Sequence, residues 1–227
     1  MSQKIKDQEE VAVAEAVSKT ERFFEENGKK VVIALVAVLL IVAGGYAYKY
    51  LVVDKSEAKA AELIVEAQER FAGETPDYDL ALNGDDAGVG FLTVADEYGS
   101  TRAGNLAKHY AGICYLHLGD LENAAKYLSS YKSVKGLAAE VVNAQNVGLQ
   151  GDVAVEQGDY AKAATLFAKA VKASKNSFTA PLYLYKQGLA LAATGENEKA
   201  KACFQRVSDE YPMSPEARDA EKMIGAN

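Results

Sequence analysis

The sequence predicts an all-α protein: a single N-terminal transmembrane helix followed by an α-solenoid of helical hairpins. Three observations in the 227 residues predict it. The first is an 18-residue run without a charge, Val31–Tyr48. The second is a pattern of Gly, Gly-acid, Ala and large apolar residue that recurs at separations of 39 and 37 residues. The third is a composition with 18 Gly and only 4 Pro, which suits long helices better than a many-turned β-sandwich. The expected organisation is an N-terminal segment over 1–30, a transmembrane helix over 31–53 and a solenoid over 54–227. Within the solenoid three repeats are clear, a first one is degenerate, and a capping helix closes the end.

The uncharged run VVIALVAVLLIVAGGYAY makes a helix of about 27 Å at ~1.5 Å per residue. Lys49 can snorkel and add Tyr50–Val53, so a hydrocarbon core of roughly 30 Å is within reach. Lys29 and Lys30 flank one end, and Tyr46, Tyr48 and Tyr50 crowd the other as interfacial aromatics do. A buried core helix rarely goes so far without a charge. A cleaved signal peptide would need a long n-region rich in acids (Glu9, Glu10, Glu15, Glu21, Glu25, Glu26), which is against type. Lys and Arg nearly balance on the two sides, and the Lys29-Lys30 pair tips the orientation toward N-inside.

Before the span, Val13, Val17, Thr20 and Phe24 fall at helical spacing, with Ala16 and Phe23 beside them. This predicts a short amphipathic helix on the bilayer or against a membrane partner, stopped at Asn27-Gly28.

After Asp54 the pattern is helical and repeats. Gly119-Asp120, Gly158-Asp159 and Gly195-Glu196 are each preceded seven residues earlier by Gly112, Gly151 and Gly188. Ala124, Ala163 and Ala200 follow five residues after each turn Gly, and Leu128, Phe167 and Phe204 nine residues after it. A small residue lets two helices approach, the turn Gly stops the first helix, and the large residue fills the gap farther along. Each hairpin leaves an apolar face open, so neighbours stack. FLTVADEY (Phe91–Tyr98) parallels FQRVSDEY (Phe204–Tyr211), which marks the second helix of the degenerate repeat, with Lys55–Phe71 as its partner. Gly73–Gly90 reads as a loop. Ser214 and Pro215 predict the N-cap and first position of a capping helix running to Met223.

This framework resembles the tetratricopeptide repeat (TPR) family. Tyr160 matches that family's turn aromatic, Leu121 and Asn197 depart from it, and Pro212 stands where the family places a proline. The usual period is ~34 residues, so these units carry insertions.

Chemistry is sparse. The net charge of −7 argues against nucleic acid. Cys114 and Cys203 sit two repeats apart and read as buried thiols, with no C-x-x-C. His109 and His117 are about 12 Å apart along one helix, too far to share a metal. Asn83-Gly84-Asp85-Asp86 lacks the terminal Glu of a calcium loop and reads as a turn. No G-x-S-x-G, P-loop or G-x-G-x-x-G is present. No enzyme, cofactor or metal is expected.

The TPR resemblance implies that the first helix of each hairpin lines a partner-binding groove. Its positions here are Leu106, His109, Ile113, Leu116 and His117, then Gln145, Gly148, Asp152, Val155 and Glu156, then Leu182, Tyr185, Leu189 and Ala193. Some members clamp a partner's C-terminal carboxylate with Lys, Arg and Asn. Here those places hold His109, Ile113, Asp152, Tyr185 and Leu189, so that clamp is absent. A groove apolar at both ends and acidic in the middle suits an apolar or basic segment.

RFFEENGK (Arg22–Lys29) running into one span and TPR-like helices is similar to the YfgM-like ancillary subunits of the bacterial SecYEG translocon. That resemblance implies an N-inside anchor through residues 31–53 in the inner membrane and repeats facing the periplasm. Its implied partners are translocon subunits, chaperones or exported clients. The loop around Asn83–Gly90 departs from it. Two other readings stay open: a cytoplasm-facing TPR regulator or assembly factor of envelope biogenesis, and a structural subunit that self-associates.

Overall fold

The computed structural model describes the backbone of residues 2–173 and 176–226, and the side chains of Ser18 and of Glu21 onward apart from residues 138, 174, 175, 226 and 227. Val13, Ala16, Val17 and Thr20 of the expected amphipathic stripe thus lie outside the described residues. Phe23 and Phe24 are exposed and meet edge to face at 5.9 Å. The chain forms two compact units, Met1–Lys55 and Ser56–Asn227.

The first unit is helix α1 (Ser2–Tyr48) and a π-helical turn over Lys49–Val53. The expected stop at Asn27-Gly28 is not there, because α1 runs straight through it. Gly28 keeps a helical φ and meets nothing. A Gly inside a helix costs only about 1 kcal/mol, less than giving up the hydrogen bonds of a break. In the π turn the Asp54 N–H donates to the Lys49 carbonyl, and Lys49 Nζ pairs with the Asp54 carboxylate at 2.9 Å. The helix is long and apolar enough to cross a membrane, and its most apolar stretch has no residue buried in the molecule. A core helix would be covered; Ile33 and Ile41 are about 70% bare.

Among the described residues, the second unit is built of helices, the links between them and one short hairpin. Its elements are α2 (Asp54–Phe71, packed here from Ser56 onward), α3 (Tyr78–Asn83), β1 (Gly84–Asp85), β2 (Gly88–Val89) and α4 (Phe91–Glu97). Then come α5 (Arg102–His117), α6 (Leu121–Ser130), α7 (Leu137–Glu156) and α8 (Tyr160–Ala173). The unit ends with α9 (Ala180–Ala193), α10 (Asn197–Glu210) and α11 (Ala217–Ala226). From α4 onward each helix packs on the next, as in a solenoid of hairpins α5–α6, α7–α8 and α9–α10 capped by α11.

The turns explain the Gly-acid pattern. Gly119, Gly158 and Gly195 have φ of +80°, +76° and +79°, a conformation only Gly adopts without strain. After α5, Gly119 N–H bonds to the Leu116 carbonyl and Asp120 N–H to the Tyr115 carbonyl. The same pair of bonds closes α7 and α9, which is the Schellman arrangement. The acid then starts the following helix. Asp120 accepts from Asn123 N–H and Asp159 from Lys162 N–H, each at 3.0 Å. Glu196 makes no such bond; its carboxylate pairs with Lys199 instead.

The small residues do what their spacing predicts. A Cβ on Gly112 would lie 2.5 Å from Leu128 Cγ, one on Gly151 2.6 Å from Phe167 Cε1, and one on Gly188 2.5 Å from Phe204 Cε1. Ala124, Ala163 and Ala200 are fully buried. One apolar cluster joins α7 to α11 and another α2 to α6, with Ala124, Leu128 and Val153 between them.

Two more expectations, besides the stop at Asn27-Gly28, need correction. The stretch 73–90 is not a loop: it folds as α3 and the β1–β2 hairpin. Asp77 caps α3 through Leu80 N–H at 2.9 Å, and Ala81 and Leu82 are buried. Arg70 of α2 holds the hairpin by bonds to the Gly88 carbonyl (3.1 Å) and Asp85 (2.7 Å). The capping helix begins at Ala217, not Pro215. The Ser214 carbonyl, not its hydroxyl, accepts the Ala217 N–H, and that hydroxyl is buried without a partner.

Candidate partner-binding face

The residues expected to line a groove come from α5, α7 and α9. Helical spacing puts them on one stripe of each helix, but the stripes differ in what they present.

On α5 the stripe is largely used up by packing. Leu106 and Leu116 are half-buried against the apolar clusters. Ile113 is also half-buried. His109 is only 3% exposed, and its Nδ1 meets Asn146 Nδ2 of α7 at 3.2 Å. Asn146 Oδ1 in turn accepts from Gln150 at 2.9 Å. Burial pushes the His109 pKa down to about 4, so the ring is neutral and accepts from the amide. His109 therefore joins α5 to α7 instead of facing a partner. His117 is exposed, yet Tyr78 of α3 stacks on its ring at 4.1 Å and 2°. The inserted α3 thus covers one face of this end of the stripe.

On α9, Leu182 and Tyr185 lie half-buried against the large apolar cluster, and Tyr185 tilts against Phe204 at 5.6 Å. Leu189 is 39% exposed. On α7, Gln145 is half-buried and Glu156 exposed. Gly148 carries no side chain because Tyr183 occupies the place of its Cβ.

The structure brings Asp152 and Leu189 together in one cavity of about 220 Å³ between α7, α8 and α9. Val155, Tyr160, Phe167, Lys186 and Ala190 complete its lining. The expected acidity of the groove's middle is corrected here. Lys186 Nζ lies 2.7 Å from Asp152 Oδ1 and 2.8 Å from Oδ2, so the charge at this point is neutralised. Lys186 also sits 5.8 Å above the Phe167 ring. Burial raises the Asp152 carboxyl above its usual range, and the Lys186 hydrogen bond opposes that rise. The cavity is an apolar slot with a closed ion pair at one wall. A single apolar or aromatic side chain of a partner fits such a lining.

Lys186, Tyr160, Phe167 and Ala190 stand outside the expected groove set. Phe167 carries a signal as the repeat's gap-filling residue and Tyr160 as its turn aromatic. Lys186 lies 34 positions from Asp152, and nothing in the chain marks that partnership.

The thiols are inert in this setting. Cys114 and Cys203 are buried and unpaired, and burial pushes the Cys114 pKa up to about 12 and raises that of Cys203. Asp85 accepts from Ala87 N–H, Gly88 N–H and Arg70, which occupies it as a hairpin clasp. Among the described residues, no group of three or more His, Cys, Asp or Glu is placed to hold a metal.

A family model described as a tetratricopeptide repeat-like domain matches residues 21–223. Comparison with curated protein sequences gave no match.

Proposed function

Because the chain belongs to the tetratricopeptide repeat-like domain family, whose domains are typically non-catalytic protein-interaction modules, we propose that it is a membrane-anchored scaffold of the bacterial cell envelope. Residues 1–30 form a cytoplasmic segment, 31–53 cross the inner membrane, and 54–227 are the partner-binding solenoid. The solenoid stands in the periplasm and works beside the Sec translocon, as in the YfgM-like subunits, on chaperones or exported clients. It performs no chemistry of its own. The observation that carries this reading is a long apolar helix with no residue of its most apolar stretch buried, in one chain with a repeat-built apolar cavity.

The binding face is narrower than the full set of groove positions. The contact residues are Leu189, Tyr160 and Val155 of the cavity lining and exposed Glu156 beside Val155 in the chain, with the Asp152–Lys186 pair fixing the cavity wall. Leu182 packs in the apolar cluster of the α7–α11 helices, and Leu106 and Leu116 in the clusters of the preceding helices. An extended partner segment places one apolar side chain in the slot, with a basic neighbour near Glu156.

Paired reporter fusions after Asn227 test the topology. A periplasm-active reporter works and a cytoplasm-active one does not if the reading is right. The reverse result supports the cytoplasm-facing regulator instead. A photo-crosslinker at Leu189, in membranes containing the purified translocon, tests the placement. Adducts with a translocon subunit or a translocating client support it, and their absence removes the translocon from the reading.

A further inference from the structure

The two edges of the solenoid differ in chemistry. Successive helices joined by short links and packed on one another run antiparallel. The links after α4, α6, α8 and α10 therefore share one edge, and the Gly turns after α5, α7 and α9 share the other. Contacts tie the first edge together. Arg102 N–H at the start of α5 donates to the Glu57 carboxylate at the start of α2, at 3.0 Å. Lys132 after α6 exchanges backbone–side-chain hydrogen bonds of 2.8 and 2.7 Å with Asn105 in the first turn of α5. Lys172 near the end of α8 lines a cavity with Glu210 and Tyr211 at the end of α10.

The Gly-turn edge carries an acid at every turn, Asp120, Asp159 and Glu196, with Glu122, Glu156 and Glu198 beside them, and Lys199 pairs with Glu196. The other edge holds large apolar side chains in water. Leu137 is 84% exposed, Phe178 74% and Met213 95%, with Val134 at 43%. They come from three successive links, and exposed Lys132 and Lys135 flank Val134. On the same edge Glu97, Glu140 and Asp209 are exposed and Glu210 is held by Arg206 at 2.8 Å, so the edge as a whole is mixed in charge and its basic spot is the Lys132–Lys135 link. Isolated exposed apolar residues are ordinary, but a row of them along one edge marks an interaction surface.

The chain itself says which surface. The apolar run ends at Val53, and Glu57, four residues on, is the group that bonds Arg102 on this edge. The first residues of the solenoid unit thus lie at its apolar edge. We propose that this edge docks on the bilayer, with Phe178, Leu137 and Met213 entering the headgroup–acyl boundary. Lys132 and Lys135 meet anionic headgroups, and the acidic Gly turns face away from them. Docking of a few side chains is weak alone, but a tether raises the effective concentration enough to hold it. The inference rests on the membrane-anchored reading of the chain.

The absence of Trp from the sequence gives a direct test. Full-length chain carrying Phe178→Trp, or separately Met213→Trp, is reconstituted into phosphatidylcholine vesicles with and without phosphatidylglycerol. Leu118→Trp on the Gly-turn edge is the control. Flotation after an alkaline wash reads the anchor, and quenching of the indole by acyl-brominated lipid reads the edge. The expected result is blue-shifted, strongly quenched emission for the first two variants, greater with phosphatidylglycerol, and none for the control. Lys132→Glu with Lys135→Glu abolishes the phosphatidylglycerol increment. A chain that floats with Phe178→Trp and Met213→Trp unquenched in both vesicles overturns the proposal while the anchor stands. That is also the result a protein-covered edge gives. Equal quenching at all three positions overturns it too. A chain that fails to float overturns the anchor reading, and the edge proposal falls with it.

Discussion

Gly151→Ala should destabilise the protein although Ala is the better helix former. Gly151 lies inside α7, where the change by itself is worth about 1 kcal/mol in favour of Ala. The added Cβ would stand 2.6 Å from Phe167 Cε1, 2.8 Å from Cδ1 and 3.0 Å from Cζ. The Phe167 ring cannot step aside cheaply. It is 1% exposed, stacked with Tyr183 at 6.3 Å and covered by Lys186. Overpacking a filled core costs about 1–3 kcal/mol. With the ring buried and in contact with both Tyr183 and Lys186 the upper half of that range applies, so the net loss is about 1–2 kcal/mol. At ~2–4 °C per kcal/mol for a chain of this size, the melting temperature falls by roughly 2–8 °C. The assay is thermal unfolding followed by circular dichroism at 222 nm on the full chain in detergent. Phe167→Leu removes the ring edge, so the double variant should recover part of the loss, with a coupling of at least about 0.5 kcal/mol. Gly158→Ala is the contrast. Open space surrounds its Cβ, but φ is +76°. It should lose about 1–2 kcal/mol through backbone strain and show no coupling to Phe167→Leu. A Gly151→Ala protein that melts at or above the parent temperature would refute the close-approach reasoning.

Two further outcomes follow from the same geometry. His109 has its pKa lowered from 6.5 to about 4 by burial, so below pH 6.5 the unfolded chain binds a proton that the folded chain does not. Stability is fully present above pH 6.5 and falls as pH drops toward 4, by up to about 3 kcal/mol. Denaturant titrations across that window should show a steeper slope for the parent than for His109→Gln; parallel slopes contradict the burial argument. The acids after the turn glycines should also separate. Asp159→Ala removes the cap on Lys162 N–H and costs about 1 kcal/mol. Glu196→Ala removes no cap and should leave the melting temperature nearly unchanged. Equal losses would contradict the assignment.

The hairpins were legible in the sequence because each device is short. Stopping one helix and starting the next needs a left-handed Gly and an N-cap acid in adjacent positions. Gly119-Asp120 and Gly158-Asp159 carry both. The Gly112–Leu128, Gly151–Phe167 and Gly188–Phe204 contacts were legible for a related reason. They join helices whose connection has fixed length, so spatial pairs become a constant spacing of 16 residues. The insert at 73–90 was not legible. Six residues of α3 are too few for a periodic pattern, and the hairpin is held by Arg70 from another element. Asn27-Gly28 misled because a Gly stops a helix only where positive φ gains new bonds.

The candidate face divides the same way. The sequence identified the helices and stripes it lies on, since helical spacing alone sets those. It could not show that His109 turns inward to Asn146, 37 positions away, or that Lys186 cancels Asp152, 34 positions away. Nor could it show that Tyr78 covers His117. By itself the sequence determined the all-α class, the apolar helix, the repeat period and the turns, because local backbone chemistry and hydrophobic order fix them. Tertiary structure alone decided which stripe residues remain free, which charges survive and which edge bears apolar side chains. Those depend on what stacking brings within a few ångströms, and the repeat leaves that open from one unit to the next.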